Sequence, residues 1–494
     1  MRWPLTRRSV TSTPAADHGG DPRLARAGSE AVWRWRPGLT SFLFGSSFSI
    51  LLTAWLRLLD PHTGPIGWYT SVVWTLPIVL TVQGIAGGLY TRRLATRRTE
   101  THVSGQVVCS ESLIVVVPTI GREDTYVALT RVLTSFCTCL PRYFRYVRID
   151  VVVEEGCDIG SELLRSQTSN QLVRIVTVPR DFRTPRGTRF KARAIQYAHL
   201  LRKREGEARG DVWILHMDDD TSVNPYTAAE IARFIECQRV AGDDGKHLAQ
   251  GILAYPREFS RSRLTWYADA VRAGCDISFF PITTGRGMPR IGLHGELLLV
   301  RASVEAQIGW DFGPKTIVED AEFAMRFCDA YPGRSAWFPA CSYGASPANL
   351  TDFVKQRERW VWGLLTLLTQ RSVSLRRRLL LLPTIALWVG APFANPIVLI
   401  SIGFLIGNAD TTPVNMIIGS VWGINFGFYI WLYWEGFKIN IYWSTEHRSR
   451  WWEPILVIAG TPVFAVMECL GIVSGLARFV RGSEIQFTVI EKPV

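Results

Sequence analysis

Five apolar stretches, each long enough to cross a bilayer as a helix, bracket a polar middle, and this partition points to a membrane-attached fold. They run from Leu39 to Leu59, Trp68 to Tyr90, Pro383 to Ile406, Val414 to Phe437 and Ile455 to Val480. The Asp60–Gly67 loop has no lysine or arginine. Arg2, Arg7, Arg8, Arg34 and Arg36 precede the first stretch, and Arg92, Arg93, Arg97 and Arg98 follow the second. The positive-inside rule therefore predicts a cytoplasmic N-terminus and a cytoplasmic middle segment. Gly407–Pro413 lacks basic residues and Lys438–Arg450 has several, repeating the order inside, outside, inside. The last stretch upsets the parity, because a full crossing would put the tail outside. Gly460-Thr-Pro462 and Glu468 interrupt it, so a broken or re-entrant helix with a cytoplasmic tail is expected. The polar arm before Leu39 is too long for a standard cleaved signal peptide.

A net charge of +12 would suit nucleic acid, but much of the excess is arginine flanking apolar stretches. It reads as membrane anchoring, with membrane lipids as partners and no nucleic acid. Nine cysteines lie without metal-ligand pairing and read as reduced cytosolic thiols. The expected division is a disordered basic arm (1–37), two transmembrane helices with a basic linker (38–98) and a cytosolic domain (99–348). An interfacial amphipathic helix (349–375), C-terminal transmembrane helices (376–480) and a tail (481–494) complete a multi-pass plasma-membrane protein.

In the middle segment, short apolar strands alternate with amphipathic helices, the pattern of a mainly parallel α/β sheet. Leu113–Val117 runs into Pro118-Thr119-Ile-Gly-Arg122 before a helix at about Thr125, a strand–turn–helix of the kind where nucleotides bind. Ile149–Val153 ends in Glu154-Glu155-Gly156, where a carboxylate can accept from a ribose or base, and Leu172–Val178 is a third strand. A fourth, Val212–His216, ends in Met217-Asp218-Asp219-Asp220. Three acids at a strand tip repel one another, and Mg²⁺ or Mn²⁺ on Asp218 and Asp220 would relieve that repulsion and bridge to a diphosphate; a solvated acidic turn is the alternative.

Lys191 opens a helix, where a cation opposes the dipole, so it either faces an anion on the donor side or is solvated. In Gly292–Val300, Gly295 would let a ligand approach the backbone, and His294 either contacts an acceptor or is a packed, hydrogen-bonded histidine. Glu319-Asp320 leads a helix marked by Ala321, Phe323, Ala324 and Phe327. Such a pair either complements the helix dipole or supplies a proton acceptor of raised pKa. Asn349–Leu368 mixes Phe353, Trp360 and leucines with Lys355, Arg357 and Arg359, as an interfacial helix does.

Asp218-x-Asp220, Glu319-Asp320 and Gln356-Arg-Glu-Arg-Trp360 stand in the order and spacing of the membrane-embedded family-2 inverting glycosyltransferases, whose catalytic domain is the α/β GT-A fold joined to an α-helical transmembrane region. Cellulose, chitin and hyaluronan synthases belong to that group. Thr188–Tyr197, Gln250-Gly251, His294-Gly295, Gly309–Gly313 and Val318–Ala321 more closely resemble the Egghead-type β-1,4-mannosyltransferases, over roughly Val107 to Leu368. The resemblance implies a hexose passed from a sugar nucleotide, GDP-mannose or else a UDP-sugar, to a glycan or glycolipid. It implies Asp320 as general base beside Glu319, and Mg²⁺ or Mn²⁺ on Asp218 and Asp220. The donor side would use Pro118, Thr119, Arg122, Glu155, Lys191, Asp218, Asp220, Gln356 and Arg359, and the acceptor side His294, Gly295 and Trp360. In this scheme Arg359 opposes the diphosphate and Trp360 stacks on the acceptor sugar. Glu154-Glu155 stands where synthases often have aspartates, and the Gly482–Lys492 tail lacks the Thr-Pro of their cytosolic tail motif. A processive synthase using a UDP-sugar is the rival enzyme. A non-catalytic transporter or scaffold with a nucleotide-sensing domain is the rival of another class.

Overall fold

The computed structural model describes residues 75–100, 108–404, 413–445 and 447–483. The basic arm, the Leu39–Leu59 stretch, the Asp60–Gly67 loop and most of the tail lie outside the described residues.

Seven strands form one sheet: β1 (Ser112–Pro118), β2 (Val147–Glu154), β3 (Val173–Val178), β4 (Val212–His216), β5 (Leu248–Ala254), β6 (Leu298–Arg301) and β7 (Ser335–Tyr343). Their order is β3-β2-β1-β4-β6-β5-β7. Neighbours run parallel except at β6, which is antiparallel to both β4 and β5. The first four strands fall within two residues of their sequence-read bounds because each is a near-continuous β-branched or aliphatic run, as a sheet covered on both faces requires.

Helices follow in the order α1 (Ile78–Glu100), α2 (Tyr126–Cys139), α3 (Gly160–Ser169), α4 (Phe190–Arg204), α5 (Pro225–Ala241), α6 (Arg263–Ala268), α7 (Ala270–Ser278), α8 (Ala302–Ile308) and α9 (Glu319–Ala330). Then come α10 (Leu350–Thr369), α11 (Leu375–Phe404), α12 (Pro413–Trp443), α13 (Glu453–Ala459) and α14 (Thr461–Val480). Alternation along β1 sends Leu113, Val115 and Val117 to one face, with Val132 and Phe136 of α2 and Ile231 and Ile235 of α5. Ile114 and Val116 point to the other, with Ile195 of α4 and Phe323 and Phe327 of α9. Each such side chain contributes about 1.5–3 kcal/mol by burial. This is a mixed α/β fold with helices on both faces of one sheet.

The antiparallel strand decides where the site lies. Because β6 runs against β4, the loop entering β6 emerges at the same sheet edge as the acidic turn leaving β4, with His216 paired to Leu298. That edge is the carboxyl end of the parallel strands, where open α/β sheets bind ligands.

Beyond the sheet, α7 is wedged between α1 and α12. A methyl on Gly87 of α1 would strike the Ser278 carbonyl, one on Gly274 the Leu432 carbonyl, and one on Gly436 of α12 the Ala270 carbonyl. Thr91 donates to the Ile277 carbonyl at 2.8 Å, and Asn440 of α12 accepts from the Tyr255 backbone at 2.8 Å. Helix α1 continues past the expected boundary at Tyr90 through the arginine-rich segment. Among the described residues one helix, α14, is long and apolar enough to cross a membrane, with a mean hydropathy of 1.8. Val463, Val466, Leu470 and Val473 form its exposed stripe. The chain breaks between α13 and α14 at Gly460, with Pro462 in the first turn that follows.

Candidate active site

Lys191 stands in the first turn of α4, directly after Phe190, whose φ of +57° is a costly conformation for a non-glycine residue. That turn delivers the ammonium to the carboxyl edge of the sheet, where it donates to Asp218 and lies 3.7 Å from Glu319. Burial works against its charge, but Asp218, Glu319 and Glu296 outweigh it and hold the group above its ordinary value. Lys191 is thus paired with the protein's own carboxylates and not simply solvated.

Glu319 and Asp320 occupy the first turn of α9. Burial pushes Glu319 up to about 7, opposed by Lys191 and reinforced by the Asp320 charge. Asp320 is also raised by burial, against the pull of Lys191, and its Oδ1 accepts from the Ala321 backbone at 2.8 Å. Both acids stand in the first turn of α9, whose N-cap residue Val318 makes no side-chain bond, and burial raises both.

The β6 loop closes the arrangement. A Cβ placed on Gly295 would sit 2.7 Å from the Lys191 ammonium, 3.7 Å from Asp320 Oδ2 and 4.0 Å from Asp218 Oδ1, so these groups converge on a backbone with no side chain. The buried Gln250 amide holds that loop, accepting from the His294 backbone N–H at 2.9 Å and donating to the Glu296 carbonyl at 2.9 Å. Leu297 follows at φ +51°, and its N–H contacts the Met217 sulfur at 3.3 Å, one residue before Asp218. His294 is a bonded histidine, 2.6 Å from Asp276, and although burial lowers its pKa the Asp276 carboxylate outweighs it and raises it. Burial and the Asp218 charge push Glu296 up to about 7.

Helix α10 brings the Gln-x-x-Arg-Trp segment to the same place. Arg359 is pushed down by burial, while Glu319, Asp218, Asp320 and Glu296 act to keep its charge. The Trp360 ring carries the guanidinium of Arg272 at 4.5 Å and that of Arg357 at 4.4 Å, so its indole already holds two cations. Arg357, beside Gln356, is 1% exposed. It bonds Asp269, Glu468 Oε1 at 2.7 Å and Gln356 Oε1 at 2.5 Å.

The nucleotide-side expectations divide. Thr119, at the end of β1 after Pro118, donates to Asp219 at 2.7 Å and so ties that strand to the acidic turn. Asp220 receives Arg131 on its backbone carbonyl at 3.5 Å. Arg122 instead pairs on the surface with Asp124 at 2.8 Å, and Glu155 accepts from the Arg180 backbone at 3.0 Å. The hydrogen bonds of these last two do not join the buried cluster.

Asp218 and Asp220 offer hard oxygen donors suited to Mg²⁺ or Mn²⁺. Among the described residues no three His, Cys, Asp or Glu side chains are arranged to hold an ion unaided. The donor set fits an ion that completes its coordination with diphosphate oxygens and water, as Mg²⁺ commonly does.

Sequence reasoning passed over Arg272, Glu296, Asp276, Asp269 and the role of Glu468. The signal for three of them was present: Asp269, Arg272 and Asp276 interrupt a run of small and apolar residues from Tyr267 to Phe280, and charges in such a run need partners.

Residues 213–438 match the family described as Glycosyl transferase family group 2. The chain is a glycosyltransferase, similar to this family-2 group over that segment. Its relatives include the β-1,4-mannosyltransferase egh of Drosophila melanogaster, 25% identical over 373 residues covering 74% of this chain and 75% of that one. The β-1,4-mannosyltransferase bre-3 of Caenorhabditis elegans is 24% identical over 368 residues, 73% and 74% of the two chains. Among solved structures, the mannosyltransferase PcManGT from Pyrobaculum calidifontis, in complex with GDP-Man and Mn²⁺, is 14% identical. That likeness spans 83% of this chain and 100% of that one at a TM-score of 0.45.

Proposed function

We propose that this chain transfers mannose from GDP-mannose onto a hydroxyl of a glycan or glycolipid, forming a β-1,4 linkage with inversion, from the cytoplasmic face of the plasma membrane. The observation that carries the reading is the convergence of Lys191, Asp218 and Asp320 on the bare backbone of Gly295. The β-1,4-mannosyltransferase relatives support the choice of sugar and linkage.

Asp320 accepts the proton of the acceptor hydroxyl as that oxygen bonds to the anomeric carbon, and the bond from that carbon to the diphosphate oxygen breaks. The electron pair leaves with GDP. Lys191 and Arg359 place fixed positive charge where the diphosphate develops negative charge, and Glu319 orients Lys191 through their 3.7 Å contact. A divalent cation held by Asp218 and Asp220 would supply further neutralisation at the diphosphate. His294 and Trp360 line the acceptor side.

The test is to incubate the purified chain with GDP- and UDP-sugars, Mg²⁺ or Mn²⁺ and a panel of octyl glycosides, and to identify the nucleotide released and the linkage formed. GDP release with a β-1,4-mannosylated product is expected. Turnover of UDP-sugars alone would replace the reading with a UDP-sugar synthase, and binding without turnover with a nucleotide-sensing role.

A further inference from the structure

We propose that Glu468, a charge inside the apolar helix α14, is a positioning residue for the acceptor side of the site, acting through Arg357 on Trp360. This rests on the proposed acceptor role of Trp360.

Helix α14 lies directly on α10. A Cβ on Gly475 would meet the Glu358 carbonyl at 2.7 Å and the Val361 Cβ at 2.8 Å, and one on Gly471 would meet the Arg357 Cβ. Glycines four apart thus let the two helices touch along one face, the small-residue spacing that allows close helix packing. Glu358 fastens the seam, bonding Ser474 and lying 2.5 Å from Arg478. One turn before Gly471, Glu468 meets the buried Arg357 at 2.7 Å.

Arg357 is fixed on three sides. Asp269, in the junction of α6 and α7, takes one end of its guanidinium, Glu468 takes Nε, and Gln356 takes the remaining nitrogen. A planar guanidinium so bonded has a set orientation. Its carbon lies 4.4 Å from the Trp360 ring centroid and 4.2 Å from that of Phe353, so the plane of Arg357 sets that of the indole. Without Glu468, Arg357 keeps Asp269 but loses one of the bonds that fix its rotation, and Trp360 loses the surface against which it is held. The second oxygen of Asp269 is buried without a hydrogen-bond partner. Replacing Arg357 would strand that carboxylate and endanger the fold, whereas the Glu468 side chain keeps 17% exposure and tolerates truncation better.

The experiment compares Glu468→Ala, Glu468→Gln and Trp360→Ala in the full chain, purified in detergent. It measures mannosyl transfer to the octyl glycoside the unaltered protein uses, hydrolysis of GDP-mannose by water, and Tm. Glu468→Ala is expected to raise the KM for the glycoside about tenfold while donor hydrolysis stays within about twofold, and Glu468→Gln, whose amide oxygen still accepts from Arg357, to recover part of the loss. An unchanged KM in Glu468→Ala overturns the proposal, as does a parallel fall of transfer, hydrolysis and Tm, which marks a purely structural role. If Trp360→Ala itself leaves the KM unchanged, the acceptor reading fails, and with it this inference's premise. A KM raised in Trp360→Ala alone leaves that reading standing and removes only the link to α14.

Discussion

The ammonium of Lys191 lies 3.7 Å from the carboxylate of Glu319 while donating to Asp218, so one cation joins the acidic turn after β4 to the acidic helix α9. The two acid motifs stand about a hundred residues apart in the chain. They act as one electrostatic unit, and each expectation below follows from removing one part of it.

Asp320→Asn keeps the shape of the side chain and removes its capacity to take a proton. General-base catalysis contributes about 10²–10⁴-fold, so transfer should fall by that range while the affinity for GDP-mannose changes little. Single-turnover transfer alongside donor titration checks it, and wild-type turnover would remove Asp320 from the mechanism.

The carboxylates make opposite demands on pH. With Asp320 as the proposed base, transfer requires it ionised, so the rate should rise through a folded-state value held above the ordinary 3.8. Stability runs the other way at Glu319, raised from 4.5 to about 7: the contribution is full below pH 4.5 and is lost as pH climbs through about 7. Glu319→Gln should therefore gain Tm over the unaltered protein progressively across that window. A Tm difference that shrinks with rising pH contradicts the assignment.

Gly295→Ala puts a methyl against the end of the Lys191 side chain, 2.7 Å away. A lysine tip can move aside, so Tm should change little. The displaced ammonium no longer meets the diphosphate, and transfer should fall about 10–100-fold, as small misplacements at reacting centres do. Kinetics and melting on the same preparation separate the two effects.

Asp218→Ala or Asp220→Ala should weaken GDP-mannose binding in a manner that tracks Mg²⁺ or Mn²⁺ concentration, and a chelator should reproduce the effect in the unaltered protein. Transfer indifferent to chelator would leave the acidic turn a structural role, tied to β1 through Thr119 and Asp219.

The elements legible in the sequence were those whose signal is local. Val212–His216 was placed to the residue because a buried strand reads as an unbroken apolar run, and α9 because Glu319 and Asp320 stand just before a helical period. Strand β7 escapes because Pro339 lies inside Ser335–Tyr343, and β5 because its run, Leu248–Ala254, contains Gln250 and Gly251 and matches no single period. Those two residues depart from the pattern for the reason that matters: Gln250 holds the Gly295 loop, and a side chain on Gly251 would strike Leu297. Arg122 and Glu155 lie at the expected strand tips, yet proximity in a turn does not fix where a long side chain points, and both found surface partners. Glu468 looked like an interruption of an apolar stretch until its partner, more than a hundred residues away, could be seen.

Where Gly87, Gly274 and Gly436 bring three helices together, carbonyl against bare α-carbon, the catalytic domain is set into its apolar base with no side chains to slide between them. The Tyr255 N–H seated on Asn440 extends that seat to the strand layer. A domain mounted this way cannot slide along α7 without driving a carbonyl into an α-carbon, so the sheet and the three helices beneath it turn as one body.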